Sequence, residues 1–204
     1  MLTSEEVLGY VKVNNIAPDL GVLPAQQSLF EDETLYLNST AVDFADADEL
    51  RFCWDLLSGV DSDNNGVMID DCDITGNQLV YSWTTSGIKT ITAIVWDDDN
   101  ASDYHSIDVN IVNRPPVASI TVVGGMLEIT EGESLTFSGA ESSDTSTDRG
   151  KLVFIWDDPK TSGATQDGFG VNYTMTFDTP GTFAVNLTVT DDDGKSSTAT
   201  VQVV

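Results

Sequence analysis

The sequence predicts an all-β protein that contains the same β-sandwich domain twice. Short apolar runs alternate with polar residues, and turn residues separate the runs. The acidic turn at residues 95–100 (VWDDDN) returns 94 positions later at residues 189–194 (VTDDDG). No sustained helical period is visible, and 204 residues are enough for two modest domains.

The two copies align block by block from the N-terminal end. The linker block at residues 13–18 (VNNIAP) matches residues 111–116 (IVNRPP). A strand block follows in each copy, at residues 31–37 (EDETLYL) and 131–137 (EGESLTF). The shared order of these blocks indicates a tandem duplication.

Matched blocks continue through the second half of each copy. Residues 50–55 (LRFCWD) align with 152–157 (LVFIWD), and residues 83–87 (WTTSG) align with 177–181 (FDTPG). A strand with strict alternation follows each of the latter blocks, so every second side chain is expected to point inward. The predicted inward sets are Ile91, Ala93 and Val95 in the first copy, and Phe183, Val185, Leu187 and Val189 in the second. Trp54 and Trp156 are predicted core residues of the central strands.

This alignment predicts the domain boundaries. Residues 15–113 form domain one, residues 114–204 form domain two, and residues 1–14 are the last strand of a preceding repeat or a tail. Pro115 and Pro116 stiffen the short link between the copies. We expect a piece of a longer array, because a signal peptide is absent and both ends fall at repeat boundaries.

The matched blocks resemble the PKD (polycystic kidney disease) domain, an immunoglobulin-like β-sandwich. Its pattern is an apolar-x-Trp-Asp strand, an aromatic before a Pro-Gly turn, and an alternating strand that ends in an acidic turn and Gly. Domain two carries the whole series, from Trp156-Asp157 through Pro180-Gly181 to the turn at residues 191–194. Domain one departs at Ser86, Lys89 and Asn100, and both copies lack the family's Gly-Asp-Gly after the Trp-Asp strand.

The resemblance implies a calcium site in each domain, because some PKD domains bind calcium where the linker, the end of the Trp-Asp strand and the acidic turn converge. Calcium takes six to eight oxygen ligands, which carboxylates and amide carbonyls supply. The alternative is an acidic turn that is only solvated. By matching position, the candidate ligands are Asn15, Asp55, Asp97 and Asp99 in domain one and Asn113, Asp157, Asp191 and Asp193 in domain two.

Domain one also has a longer loop between Trp54 and Gly87, and this loop predicts a separate calcium site. Residues 61–66 (DSDNNG) place oxygens at the first, third and fifth positions and Gly at the sixth, as an EF-hand loop begins. The twelfth position is Cys72 rather than an acid, so a later aspartate would have to substitute. The candidate ligands are Asp61, Asp63, Asn65, Asp70, Asp71 and Asp73, and the alternative is a merely flexible acidic loop.

The two cysteines, Cys53 and Cys72, leave two possibilities open. A disulfide would tether the acidic loop to the central strand and suit an extracellular compartment, whereas spacing alone cannot show that the sulfurs meet. The single histidine, His105, has no arrangement of further ligands or nucleophiles around it in sequence. Familiar hydrolase and phosphate-loop motifs are missing, so we expect no enzymatic activity.

The formal net charge of −26 excludes polyanionic partners. Nucleic acid and anionic membrane surfaces would be repelled, and self-repulsion favours bound cations or a saline habitat, although acidity can also serve solubility alone. No apolar run is long enough to insert into a membrane.

The predicted function is that of a non-catalytic, calcium-binding spacer or adhesion module of a larger extracellular or cell-surface protein. This follows from the resemblance to tandem PKD arrays of archaea and bacteria. Its partners would be neighbouring repeats and a surface protein or polysaccharide ligand. The alternative is an accessory domain pair that helps a secreted protease or polysaccharide hydrolase to engage its substrate. A row of exposed aromatic side chains would favour that alternative, and the candidates are Tyr36, Trp96, Tyr104 and Tyr173.

Overall fold

The computed structural model describes residues 12–25, 27–44, 49–57, 59–61, 64, 66–67, 71–125, 127–159 and 166–204. These residues form β-strands joined by turns, and they contain no helix, so the all-β prediction is confirmed. Of the last strand or tail expected over residues 1–14, residues 1–11 lie outside the described residues, and residues 12–14 form no strand. The described part of the chain has no helix that is long and apolar enough to cross a membrane.

The strands of the described residues follow one another in this order. They are β1 (Asp19–Leu20), β2 (Gln27–Phe30), β3 (Thr34–Asn38), β4 (Ala41–Val42), β5 (Arg51–Asp55), β6 (Ile74–Thr75), β7 (Gln78–Ser82), β8 (Gly87–Trp96), β9 (Ser102–Val112), β10 (Thr121–Val122), β11 (Ser134–Ser138), β12 (Val153–Asp157), β13 (Gly168–Phe169), β14 (Asn172–Thr176), β15 (Phe183–Thr190) and β16 (Ser196–Val203).

The chain packs into two compact units. The first unit comprises the described part of Met1–Gln27 together with Leu35–Tyr81 and Ile88–Val109. The second comprises Ser28–Thr34, Ser82–Gly87 and Asn110–Val204, so two short segments of the first sequence repeat belong to the second unit. The boundary expected at residue 113 stays a prediction.

The sheets of the first repeat surround Trp54. One sheet has the strand order β2-β9-β8-β5-β6, and the pairs β3-β7 and β1-β4 form two further small sheets. Trp54 is completely buried, and Ile91, Ala93 and Val95 of β8 are as well, as the alternation predicts. The intervening Ile94 is also buried, and it lies opposite Cys53, which forms a disulfide with Cys72.

The second unit packs two antiparallel sheets around Trp156. Their strand orders are β10-β11-β14 and β13-β12-β15-β16. The Trp156 ring lies 6.2 Å from Phe137 and 6.1 Å from Tyr173 between centroids, and its Nε1 donates a 2.8 Å hydrogen bond to the Gly170 carbonyl. The inward side chains of β15 complete the core, in which Val185, Leu187 and Val189 are fully buried and Phe183 is half-buried. The predicted inward set and core tryptophan are thus confirmed.

Candidate cation sites

The first aspartate of the first acidic turn is a buried structural residue. Asp97 is completely buried, and its Oδ2 accepts a 2.7 Å hydrogen bond from Asn15 Nδ2 in the linker. Its Oδ1 accepts a 2.8 Å bond from the backbone N–H of Ala101, across the turn. The carboxylate therefore fixes both the turn and the linker.

The second repeat reproduces this arrangement. Asp191 is 4% exposed, and its Oδ2 accepts a 2.9 Å bond from Asn113 Nδ2 while its Oδ1 accepts a 2.7 Å bond from Lys195 N. We call the pairs Asn15–Asp97 and Asn113–Asp191 the linker clamps. Asp97 and Asp191 are therefore not solvated surface aspartates, because both are buried and hydrogen-bonded.

The backbone of both turns is the same as well. Asp97 N bonds the Ala101 carbonyl at 3.1 Å, and Asp191 N bonds the Lys195 carbonyl at 2.9 Å. The residue before each acceptor is left-handed, with φ of 67° at Asn100 and 86° at Gly194. Asparagine tolerates this conformation better than most residues, so the departure at Asn100 keeps the turn.

The aspartates that end the Trp-Asp strands do not join the linker clamps. In the second unit Val153 pairs with Thr190, whereas Asp157 pairs with Asn186, four residues further along the strand. At about 3.3 Å per residue, this puts Asp157 about 13 Å from the turn. The first repeat has the same register, since Arg51 pairs with Trp96 and Asp55 with Thr92.

The outer aspartates of the turns are exposed. Asp99 and Asp193 both lie at the surface, and Asp193 Oδ2 accepts a 2.8 Å hydrogen bond from Ser86 Oγ within the second unit. Asp192, in the second acidic turn, forms an ion pair with Lys151, whose Nζ lies 2.7 Å from its carboxylate. That contact holds the pKa of Asp192 below the usual range. The four residues predicted as one site in each domain are therefore only partly brought together.

A second acidic residue, which the sequence alignment misses, corresponds in position to each linker clamp. Asp19 pairs with Val42 in the first repeat, and Val117 pairs with Ser143 in the second. Both linker residues come four positions after a clamp asparagine, and the residue after each partner is an aspartate, Asp43 or Asp144. These two are 101 residues apart, in a loop between matched blocks that are 100 and 102 residues apart, so no matched block contains them.

The second unit contains buried oxygens without a hydrogen-bond partner at this place. Asp144 Oδ1 accepts from Thr145 N at 2.8 Å, but its Oδ2 has no partner, and neither has Oδ1 of Asn113, which is 8% exposed. Burial raises the pKa of Asp144, and the nearby carboxylates of Asp148 and Asp191 raise it further, against the lowering by the Thr145 bond. An oxygen-rich, electron-rich group of this kind attracts cations.

The loop between β5 and β6 is attached to the central strand. The disulfide joins Cys53 to Cys72, Asp73 N bonds the Trp54 carbonyl at 3.0 Å, and Asp73 Oδ2 accepts from Leu56 N at 2.7 Å. Earlier in the loop, Asp61 Oδ2 accepts from Gly66 N at 2.9 Å, and Gly66 is left-handed with φ of 90°. Asp63, Asn65 and Asp70, which we predicted as ligands, lie outside the described residues.

Asp55 lies beside this loop rather than beside the acidic turn. It is completely buried, its Oδ1 accepts from Leu57 N at 2.8 Å, and its Oδ2 has no hydrogen-bond partner. Burial raises the pKa of Asp55, and the carboxylates of Asp73 and Asp71 raise it further. Asp71 is itself buried, at 1% exposed. The loop and the strand thus place acidic groups together, although sequence had assigned them to different sites.

Neither group is a finished metal centre. Among the residues that the structure describes, no three His, Cys, Asp or Glu side chains are arranged to hold a metal ion. Calcium also accepts amide, backbone and water oxygens, so Asn113 Oδ1 and the unpartnered oxygens of Asp144 and Asp55 fit its chemistry as partial ligand sets.

The exposed aromatic residues do not form one row. Tyr36 is 72% exposed on β3, whereas Tyr104 is 47% exposed on β9, in a different sheet. Trp96 is half-buried, and Tyr173 stacks on Trp156. His105 Nδ1 lies 3.4 Å from the Gly21 carbonyl.

The paired sheets, the buried tryptophan and the linker clamp define an immunoglobulin-like β-sandwich with an acidic end. Residues 113–204 match the family model of the PKD domain.

Solved structures similar to the chain include two PKD domains and a pair of titin domains. The PKD1 domain of the Vibrio cholerae metalloprotease PrtV is 27% identical, with 44% of this chain and 95% of that chain covered and a TM-score of 0.34. The PKD1 domain of Vibrio anguillarum Epp is 26% identical, with coverages of 45% and 94% and a TM-score of 0.35. The titin domains z1z2, solved with telethonin, are 15% identical, with coverages of 94% and 98% and a TM-score of 0.41.

Proposed function

We propose that this chain is a non-catalytic spacer or adhesion module of an extracellular protein, and that calcium binding stiffens it. The observation that carries the proposal is the repeated linker clamp, beside which buried oxygens of Asn113 and Asp144 have no partner. PKD domains are generally non-catalytic modules of extracellular proteins, and the match of residues 113–204 to that family model supports the same role here.

The covalent structure supports an extracellular location. Disulfides persist in oxidising compartments and are rare in the cytosol of most organisms. The Cys53–Cys72 bond fastens the acidic loop to the central strand of the first repeat. A module that must keep its shape outside the cell gains stability from this bond without a larger core.

The electrostatics support calcium as the bound cation. With a net charge of −26, the folded chain is under self-repulsion, which a divalent ion relieves most where carboxylates are crowded. In the second unit, the ligands would come from Asn113, Asp144 and Asp191. In the first unit, they would come from Asp55, Asp71 and Asp73, with Asp61 and the predicted loop residues.

Thermal unfolding of chelator-treated protein tests this proposal. Calcium that binds the native state alone raises the melting temperature, and saturation a hundredfold above the dissociation constant is worth about 2.7 kcal/mol, or several degrees. Asp144→Asn keeps the acceptor for Thr145 N but removes a charge, so it should reduce the calcium-induced rise. Asp178→Asn, which neutralises an exposed aspartate of the same repeat, is the matched control.

The first unit offers a sharper variant. Asp55→Asn removes a buried charge, so it should raise the melting temperature in chelator while it lowers the gain from calcium. Asp98→Asn, at an exposed position of the acidic turn, should change neither quantity. Equal shifts from calcium, magnesium and sodium chloride of the same ionic strength, or undiminished calcium gains in both site variants, would refute calcium stiffening.

A further inference from the structure

One face of the second unit carries an open apolar cleft. The cleft has a volume of about 480 Å³, and its walls include Ile129, Phe177, Pro180, Phe183, Val203 and Val204. The rings of Phe177 and Phe183 lie 5.2 Å apart between centroids. Glu131 lines the cleft, and Glu133 follows in the same turn; both are exposed, and neither forms an ion pair with any described residue.

The turn that bears these glutamates has a counterpart with the same backbone in the first repeat. Glu133 N bonds the Thr130 carbonyl at 3.0 Å, and Thr130 N bonds Glu133 Oε2 at 2.7 Å. The matching bonds are Glu33 N to the Phe30 carbonyl at 3.1 Å and Phe30 N to Glu33 Oε2 at 2.8 Å. The third turn residue is left-handed in both copies, as Asp32 (φ 61°) and Gly132 (φ 88°).

The counterpart turn contacts the linker residue Arg114, which belongs to the same compact unit. Arg114 lies with its guanidinium carbon 5.5 Å from the centre of the Phe30 ring, and its Nη2 is 3.6 Å from Glu33 Oε1. The backbone N–H of Arg114 donates to Glu31 Oε2 at 3.3 Å, and Glu31 is 1% exposed. Thr147 Oγ1 also donates a 2.6 Å bond to the Thr84 carbonyl.

The same turn therefore occurs twice, once in contact with a linker arginine, Arg114, and once without an ion pair to any described residue. We propose that the face formed by residues 129–133, Phe177 and Phe183 binds the linker of a further repeat of the same kind, with a basic residue at the position of Arg114. Glu131 and Glu133 would accept its N–H groups and charge, as Glu31 and Glu33 do. Phe183, where the first repeat has Lys89, gives this copy more apolar surface for the contact. The inference rests on the proposed spacer function, in which repeats follow one another.

The test uses the full chain, extended directly after Val204 by a second copy of residues 111–204. This junction keeps the 94-residue spacing, because Val204 corresponds to Asn110. Hydrogen exchange of residues 128–134 is compared with and without the extension, and residues 28–34 of the same protein are the internal reference. We expect several-fold slower exchange at 128–134 in the extended chain.

Two variants separate docking from a general effect of length. Arg114→Ala in the appended copy only, and Phe183→Lys in the original copy, should each return the exchange towards that of the unextended chain. Unchanged exchange at 128–134, while the appended copy itself is protected, would overturn the proposal. Running the comparison in calcium and in chelator distinguishes failure of docking from failure of calcium binding.

A peptide experiment tests the same contact if the appended copy does not fold. A synthetic peptide of residues 111–118 (IVNRPPVA), added to the unextended chain, should shift the NMR signals of residues 130–133 and 177–183. The shifts should weaken in high salt, because the predicted contact includes a charge pair. An absence of shifts at millimolar peptide would count against the proposal in the same way.

Discussion

Asp191 is the residue on which the end of the second unit depends most. It is nearly buried, and it accepts two hydrogen bonds as a charged group, from Asn113 Nδ2 and Lys195 N. Bonds of this kind contribute about 1.5–3 kcal/mol each. We therefore expect Asp191→Ala to lower the free energy of unfolding by about 3 kcal/mol, measured by urea denaturation.

The linker contribution can be separated by a double-mutant cycle with Asn113→Ala. The sum of the two single losses in unfolding free energy should exceed the loss in the double variant, because each substitution removes the same Asn113–Asp191 hydrogen bond. Asp192→Ala is the matched control, since its pairing with Lys151 is exposed and screened by solvent, so we expect a much smaller loss. Additive losses in unfolding free energy would show that Asn113 and Asp191 are not energetically coupled.

Glu31 should make stability depend on pH. Burial raises the pKa of its carboxyl above the ordinary 4.5, and the Asp148 carboxylate adds to this, against the Arg114 N–H bond. The folded state therefore binds the proton more tightly than the unfolded chain, so stability falls as pH rises from about 4.5 through the folded pKa.

Glu31→Gln removes this titration, so its stability relative to the native chain should increase with pH across that window. The measurement is the melting temperature of both proteins between pH 4 and 8. Glu131→Gln is the control, because the same turn position is exposed in the second repeat. A constant difference between Glu31→Gln and the native chain would contradict the prediction.

At the scale of elements, the strand pattern could be predicted from sequence because alternation and burial coincide. The buried Val185, Leu187 and Val189 follow directly from the period of two, and Trp54 and Trp156 from their position in central strands. The grouping of Asp55 and Asp157 with the acidic turns was wrong, and the antiparallel order of the predicted strands could have shown this. In an antiparallel pair the end of one strand lies beside the start of its neighbour, so these aspartates are far from the turns.

Other features of the site could not be predicted. Asp144 lies in a loop whose length differs between the repeats, so it falls in none of the matched blocks that reveal Asp97 and Asp191. The pairing of Cys53 with Cys72 also depended on where the chain brings the sulfurs, which spacing alone does not fix.

Gly168 should tolerate no side chain. A Cβ at this position would overlap the ring of Tyr173, which stacks on Trp156. We expect Gly168→Ala to lower the free energy of unfolding by about 1–3 kcal/mol, as overpacked cores do. Gly150→Ala, where a Cβ meets open space, is the matched control, and equal losses in both variants would refute this account.

The disulfide should matter mainly for the first unit. It closes a loop with a sequence separation of 19, for which chain entropy predicts about 3 kcal/mol of stabilisation. The double variant Cys53→Ala, Cys72→Ala should therefore melt at a lower temperature and expose the acidic loop to proteolysis. Wild-type protein under reducing conditions provides the comparison, and an unchanged melting temperature in both would contradict the prediction.

At the scale of the whole molecule, the charge of −26 should make stability respond to salt. Sodium chloride screens repulsion between exposed carboxylates over about 10 Å at 0.1 M and about 3 Å at 1 M. The melting temperature should therefore rise gradually with sodium chloride, without saturating at a stoichiometric amount. This general response is the background against which specific binding must be measured.

The central claim is that calcium binds specific groups of oxygens in this chain, and calorimetric titration of chelator-treated protein with calcium tests it most directly. At a fixed ionic strength near 0.15 M, the account predicts saturable binding of a small whole number of ions, which the same concentration of magnesium does not reproduce. Asp144→Asn and Asp55→Asn should each lower that number or weaken the binding. The claim would be contradicted if calcium gave no heat of binding, if the heat did not saturate, or if magnesium gave the same heat. The acidic residues would then serve only the linker clamps and solubility.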